Sequence, residues 1–169
     1  MAGAVGGLIS LPAWANSWTT ETVRLTRQLL TRDQMDLLAD MAETIIPATD
    51  TPGAKALNVH QFIQKMVTDC YELKAQDTLR TGLDSLDTLA QKSFGKPFGE
   101  GDVTQRTMLL TQRSQDPAQK DFYNLVKGLT IRGYMSSEYV MTNLTHYEFI
   151  PSRYHGCVPV PTQTASQPK

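Results

Sequence analysis

The stretch Thr31–Pro47, TRDQMDLLADMAETIIP, decides the fold class of this 169-residue chain. Thr31 stands at an N-cap position with Gln34 three residues later, which is the pattern of a capping box. Behind this cap, apolar residues recur at helical spacing: Met35, Leu38, Met41, Ala42 and Ile45. Because Pro47 cannot continue a helix, the pattern predicts an amphipathic helix that ends there.

The chain beyond Pro47 continues in the same manner. The segment 47–56, PATDTPGAKA, predicts a loop because it is rich in turn-forming residues. Helix signals then run to His146, and no apolar–polar alternation is long enough for a strand. The first predicted helix beyond the loop is capped by Asn58 and has an apolar face through Cys70 and Tyr71, and the second runs from about Gln76 to Phe94. A third helix is capped by Asp102 and buries Met108 and Leu109. A fourth helix starts at Asp116-Pro117 and buries Phe122 to Tyr134, and a continuation capped by Ser136-Ser137-Glu138 extends through Leu144. Gly133 predicts a kink or a close helix approach. We therefore predict an all-α protein, a single small domain of about five to six helices over residues 31–146 with an irregular tail rich in proline and aromatic residues.

Composition and motifs exclude several functions. Lys plus Arg number 16 and Asp plus Glu number 17, so a phosphate backbone is a poor partner and we expect no nucleic acid. The two cysteines form neither CxxC nor CxxCH, and no glycine-rich dinucleotide motif follows a strand. Asp40 and Glu43 share a helix face, either as an acid/base pair or as a solvated face. We predict no catalytic, cofactor-binding or metal-binding residue in this chain, and no enzyme.

The first residues predict the remains of an export signal. Residues 1–12, MAGAVGGLISLP, form an uncharged apolar run, too short to cross a bilayer of about 30 Å but suited to a signal peptide. Ala13-Trp14-Ala15 matches the A-x-A pattern of signal cleavage. Because the first arginine is Arg24, the positive start of a signal is missing, and we expect the true start upstream. The alternative is a small-residue tail on a cytosolic protein. We predict a signal remnant at 1–15, a linker at 16–30 and a periplasmic protein.

The segment 147–161, YEFIPSRYHGCVPVP, cannot form a helix because its three prolines remove donors and favour extended backbone. Its aromatic side chains need a surface, which is either the protein's own helices or a partner subunit. We predict an extended docking tail here and a disordered C-terminus at 162–169. Cys157 lies in the tail. It pairs with another chain, with Cys70 or with nothing, and the sequence leaves these alternatives open because the Cα separation of the two cysteines is unknown.

Residues 43–54, ETIIPATDTPGA, strongly resemble the signature of the gluconate 2-dehydrogenase subunit 3 family. Patterns similar to those of the family also occur at 94–98 (FGKPF), 129–138 (LTIRGYMSSE) and 154–159 (YHGCVP). The resemblance covers roughly residues 31–160.

The resemblance implies a role rather than a reaction. In such complexes a large subunit of the glucose-methanol-choline type binds FAD and oxidises the sugar or alcohol, and a c-type cytochrome with haem c often takes the electrons. The small subunit is implied to support maturation and export, with a twin-arginine signal that carries the folded large subunit as a passenger. No Arg-Arg pair is present in this sequence, so that route stays an expectation. We expect membrane contact only through the complex.

We expect the loop 47–56 and the tail to clamp the large subunit. The interface candidates are Pro47, Asp50, Thr51, Pro52, Gly53, Tyr147, Phe149, Arg153, Tyr154, Gly156, Cys157 and Pro159. The alternative for Asp50, Thr51 and Gly53 is a purely internal turn. The alternative functions are a free-standing periplasmic chaperone and an oxidoreductase in its own right. The substrate is not predicted, because its pocket lies in the other chain.

Overall fold

The structure is a computed structural model that describes residues 29–145, 147, 148 and 150. Within these residues it contains six α-helices, one short 3-10 turn and no strand, so the all-α prediction is confirmed. The elements are α1 (Arg32–Ile45), α2 (Val59–Cys70), α3 (Leu73–Phe94), the 3-10 turn (Phe98–Glu100), α4 (Val103–Gln115), α5 (Lys120–Met135) and α6 (Glu138–Asn143). The predicted segments 1–15 and 162–169, and nearly all of 16–30 and 147–161, lie outside the described residues.

Side-chain caps fix three of the helix starts. Thr31 and Gln34 form the predicted capping box before α1, and Asp102 and Gln105 form a second one before α4. The Ser137 hydroxyl accepts from the backbone N–H of Val140 and opens α6. These side chains satisfy backbone N–H groups that the first helical turn leaves without partners.

Helix α5 lies at the centre of the domain and contacts each of the other five helices in the described residues. Two glycines allow close packing around it. A Cβ at Gly133 would lie 2.6 Å from Cδ1 of Phe62 on α2, and a Cβ at Gly82 on α3 would overlap the ring of Phe122 on α5. The close approach predicted at Gly133 is therefore confirmed. The core consists mainly of aliphatic side chains, which include Leu38, Met41, Ile63, Leu79, Leu83, Leu86, Val126 and Leu129.

Two predicted helix starts were wrong. Asp116 ends α4, and its carboxylate accepts from the backbone N–H of Ala118 in a tight turn, so that α5 begins only at Lys120. Helix α3 begins at Leu73 rather than Gln76. The amide of Gln76 instead donates to carbonyls at the end of α2, which lack intrahelical partners.

Two predicted burials were also wrong. Met108 is 58% exposed, because the buried face of α4 passes through Leu109, Leu110 and Arg113. Cys70 is exposed because the buried face of α2 passes through Val59, Ile63 and Val67 at four-residue spacing, and the helix ends at Cys70.

Candidate partner-binding surface

The loop 47–56 connects α1 to α2 and has an outer and an inner part. The outer residues Pro47 to Asp50 are exposed, whereas Gly53 and Ala54 are buried. The backbone N–H of Ala54 donates to the carbonyl oxygen of Ile46 at 3.0 Å, which draws the inner part toward the end of α1. The loop therefore presents a short tip, residues 47–50, on a base that belongs to the core.

The carboxylate of Glu43 holds both ends of this loop. Its Oε1 accepts from the backbone N–H of Ala48 at 3.0 Å, and its Oε2 accepts from the backbone N–H of Lys55 at 2.8 Å. Hydrogen bonds to an ionised acceptor are stronger than neutral ones. Gly53 lies directly against the same carboxylate, and a Cβ there would overlap it. A glycine at this position therefore lets the carboxylate reach both N–H groups.

Helix α5 provides a second anchor. The Tyr134 hydroxyl donates to the carbonyl oxygen of Pro52 at 3.0 Å and lies 3.1 Å from Oγ1 of Thr51. The Lys55 ammonium pairs with the Asp40 carboxylate at 2.6 Å on the outer face of α1. The loop is thus tied to α1 and to α5 at separate points.

The imidazole of His60 lies in the first turn of α2, beside this base. Burial lowers the pKa of His60 below its usual 6.5, and the nearby charge of Lys55 lowers it further, against the opposing effect of Asp36 and Asp40. Its Nδ1 is buried and has no hydrogen-bond partner among the described protein groups. The fold therefore favours the neutral form of this side chain.

The predicted interface residues divide between two environments. Pro47 and Asp50 are exposed at the loop tip, and Thr51, Pro52 and Gly53 take part in the internal contacts above. Tyr147 is exposed, and its backbone N–H donates to the carbonyl oxygen of Met141 at 3.0 Å. The remaining candidates lie outside the described residues: Phe149, Arg153, Tyr154, Gly156, Cys157 and Pro159. Both pairings of Cys157 stay predictions.

A groove joins the loop to α6. It has a volume of about 450 Å³ and lies between residues 56–58 on one side and Ser137 to Asn143 on the other. Tyr139 is half-buried within it, and Asn58 at its rim adopts a left-handed conformation with φ 54°. The groove therefore brings the end of the loop beside α6, the last helix before the predicted tail.

The structure gives Asp40 and Glu43 a role that neither predicted alternative included. Both carboxylates hold the loop, which the sequence analysis missed, because their partners lie 5 to 15 residues further along the chain. The anchoring role of Tyr134 was missed for the same reason, at a separation of 82 residues from Pro52. The sequence did offer one indication of this role of Tyr134, because a buried tyrosine hydroxyl usually needs a hydrogen-bond partner.

In the part of the chain that the structure describes, no three His, Cys, Asp or Glu side chains are grouped so that they could hold a metal ion. Over the same residues, no helix combines the length and the apolar character needed to span a bilayer.

The fold and this surface define a class: a small all-helical module with a loop anchored to its core. The family described as Gluconate 2-dehydrogenase subunit 3 matches residues 32–151. The chain belongs to this family, whose name is that of a subunit of a dehydrogenase complex. No curated protein matches the chain, and neither does any solved structure.

Proposed function

We propose that this chain is the non-catalytic small subunit of a periplasmic FAD-dependent sugar or alcohol dehydrogenase. Its partner is a large subunit of the glucose-methanol-choline type, which holds FAD and oxidises the substrate, with a c-type cytochrome as an electron acceptor. The small subunit supports the maturation and stability of the large one and its export as a folded passenger through the twin-arginine route. Family membership supports the role as a subunit.

The observation that carries the proposal is the anchored loop. An exposed loop loses conformational entropy when a partner orders it, and this loss weakens binding. Here Glu43 and Tyr134 order the loop within the free chain, so the tip at 47–50 is already fixed. A fixed, exposed tip that contains Pro47 and Asp50 is suited to docking on another protein. The carboxylates of Asp40 and Glu43 serve this anchoring rather than proton transfer.

A matched pair of charge reversals tests the loop. Asp50 and Asp69 are both exposed, the first at the loop tip and the second on α2. The chain is co-expressed with the proposed flavoprotein large subunit, and the amount of flavoprotein that co-purifies is measured along with its FAD content and its activity in the periplasm. We expect D50R to lower all three, and D69R to leave them unchanged. Removal of residues 147–169 tests the tail in the same assay.

Two outcomes would contradict the proposal. One is a flavoprotein that folds, is exported and works equally well without this chain. The other is an isolated chain that carries its own flavin and oxidises a sugar with a dye acceptor. Mass spectrometry of the complex without reducing agent shows in addition whether Cys157 links the two chains. A complex that dissolves after export would favour the chaperone alternative.

A further inference from the structure

Helix α5 carries an exposed seam directly opposite the face that it buries in the core. The seam consists of Asn124, Gly128, Ile131 and Met135, which follow one another at spacings of four, three and four residues and are all exposed. This spacing is that of helices that pair side by side. Over about 16 Å of helix, the seam offers Ile131 and Met135 as apolar contacts beside a glycine.

Gly128 is the unusual member of the seam. A glycine inside a helix destabilises it relative to alanine. At Gly82 and Gly133 the domain itself explains the glycine, because a neighbouring aromatic ring occupies the space of a Cβ. At Gly128 no atom of another element lies within 4 Å of a Cβ position, so nothing in the described chain requires a glycine there. The position suits the close approach of a backbone from outside the chain.

The charges beside the seam favour a partner that carries carboxylates over a second copy of this chain. Lys127 and Arg132 flank it on opposite sides, at the positions that form ion pairs between paired helices, and both are exposed. In a parallel pair of identical helices Lys127 would face Arg132 of the second copy, and in an antiparallel pair each would face its own equivalent. Both arrangements bring like charges together. Asp121 lies one heptad before Gly128, in the first turn of α5, and precedes both cations in the helix.

We infer that the seam docks a helix of the large subunit that has apolar side chains along its contact line and carboxylates on its flanks. This inference rests on the proposed function, because it takes the flavoprotein as the partner. It adds a surface distinct from the loop 47–56. Gly128 lets the backbone of that helix approach closely, and the cations pair with its carboxylates and select this partner over a second copy of the chain.

Two exposed methionines allow a direct test by oxidative footprinting. Met135 in the seam is 50% exposed and Met108 on α4 is 58% exposed, so they form a matched pair. Their oxidation to the sulfoxide is followed by mass spectrometry in the isolated full-length chain and in its complex with the flavoprotein. We expect comparable rates in the isolated chain, and in the complex a slower rate at Met135 with no change at Met108.

Variants complete the test. G128L should weaken the complex at least about tenfold, and K127E together with R132E should weaken it and remove its salt dependence, whereas M108E should have no effect. If the complex forms but Met135 is not protected and G128L binds normally, the seam is wrong although the proposed function stands. If Met135 is already protected in the isolated chain, its own tail or a second copy covers the seam, which also overturns the inference. If no complex forms, the proposed function fails, and the seam fails with it.

Discussion

Glu43 and Gly53 should behave as one unit in unfolding experiments, because both support the same two hydrogen bonds. In E43Q one backbone N–H keeps an oxygen acceptor, and the other faces the amide nitrogen. In G53A the new methyl group occupies the space of the carboxylate and displaces it from Ala48 and Lys55. Neither variant therefore keeps both hydrogen bonds to the carboxylate.

The size of the effect follows from the two bonds. A hydrogen bond to a charged group contributes about 1.5–3 kcal/mol, and the exposed setting of this carboxylate favours the lower end. We expect E43Q to cost about 2 kcal/mol of unfolding free energy and G53A about 1–2 kcal/mol, since alanine also restricts the unfolded chain. In the double variant the bonds can be lost only once, so the cost should stay at about 2 kcal/mol, below the sum of about 3–4 kcal/mol.

Urea unfolding followed by circular dichroism measures these free energies. Glu43→Gln combined with Gly128→Ala is the control, because an added Cβ at Gly128 meets nothing within 4 Å and the two changes share no partner. That pair should be additive. The reasoning is refuted if the effects of E43Q and G53A add to within about 0.5 kcal/mol, or if G53A leaves stability unchanged.

Five further substitutions are each made at a single position. Tyr134→Phe should cost about 1–2 kcal/mol in urea unfolding, since it removes the hydroxyl that bonds Thr51 and Pro52. Gly82→Ala should cost about 1–3 kcal/mol because its methyl group overlaps the Phe122 ring, whereas Gly128→Ala should raise the melting temperature through helix propensity. Because the pKa of His60 is lowered on folding, the unfolded chain binds its proton more readily, so stability should fall as the pH drops below 6.5, and His60→Gln should flatten that part of the stability–pH curve. Lys55→Gln should cost less than about 1 kcal/mol by thermal unfolding, because the Lys55 side chain in its pair with Asp40 is 53% exposed.

The sequence predicted the parts of the fold that depend on local chemistry. The capping boxes at Thr31 and Asp102 each need two side chains three residues apart, and both occur where predicted. The loop after Pro47 and the close approach at Gly133 were likewise visible from single residues. The start of α5 was not, because Asp116 followed by proline suits a helix start and a tight turn equally well. In the structure the residues form the turn, with the N–H of Ala118 donating to the Asp116 carboxylate.

The anchoring of the loop could not be predicted, because it depends on contacts between distant residues. Glu43 lies on a helix face that in sequence resembles any solvated face. Its role appears only when the chain returns and brings the N–H of Lys55 to its carboxylate. From the sequence Tyr134 is likewise expected to be an ordinary core aromatic residue. Its hydroxyl can donate to the carbonyl oxygen of Pro52 only once α5 packs beside α1.

Substitutions at the anchoring residues and at the exposed tip of the loop should have different effects on stability and on binding. Changes at Glu43, Gly53 or Tyr134 remove contacts within the free chain. They should therefore lower its stability and also weaken the binding of any partner that contacts the loop. The Asp50 side chain is exposed and has no hydrogen-bond partner in the described residues, so a change there should affect binding without affecting stability. Measuring both the unfolding free energy and the co-purification of the flavoprotein therefore distinguishes two cases. In one the loop only stabilises the fold, and in the other the fold also holds the loop in place to bind another protein.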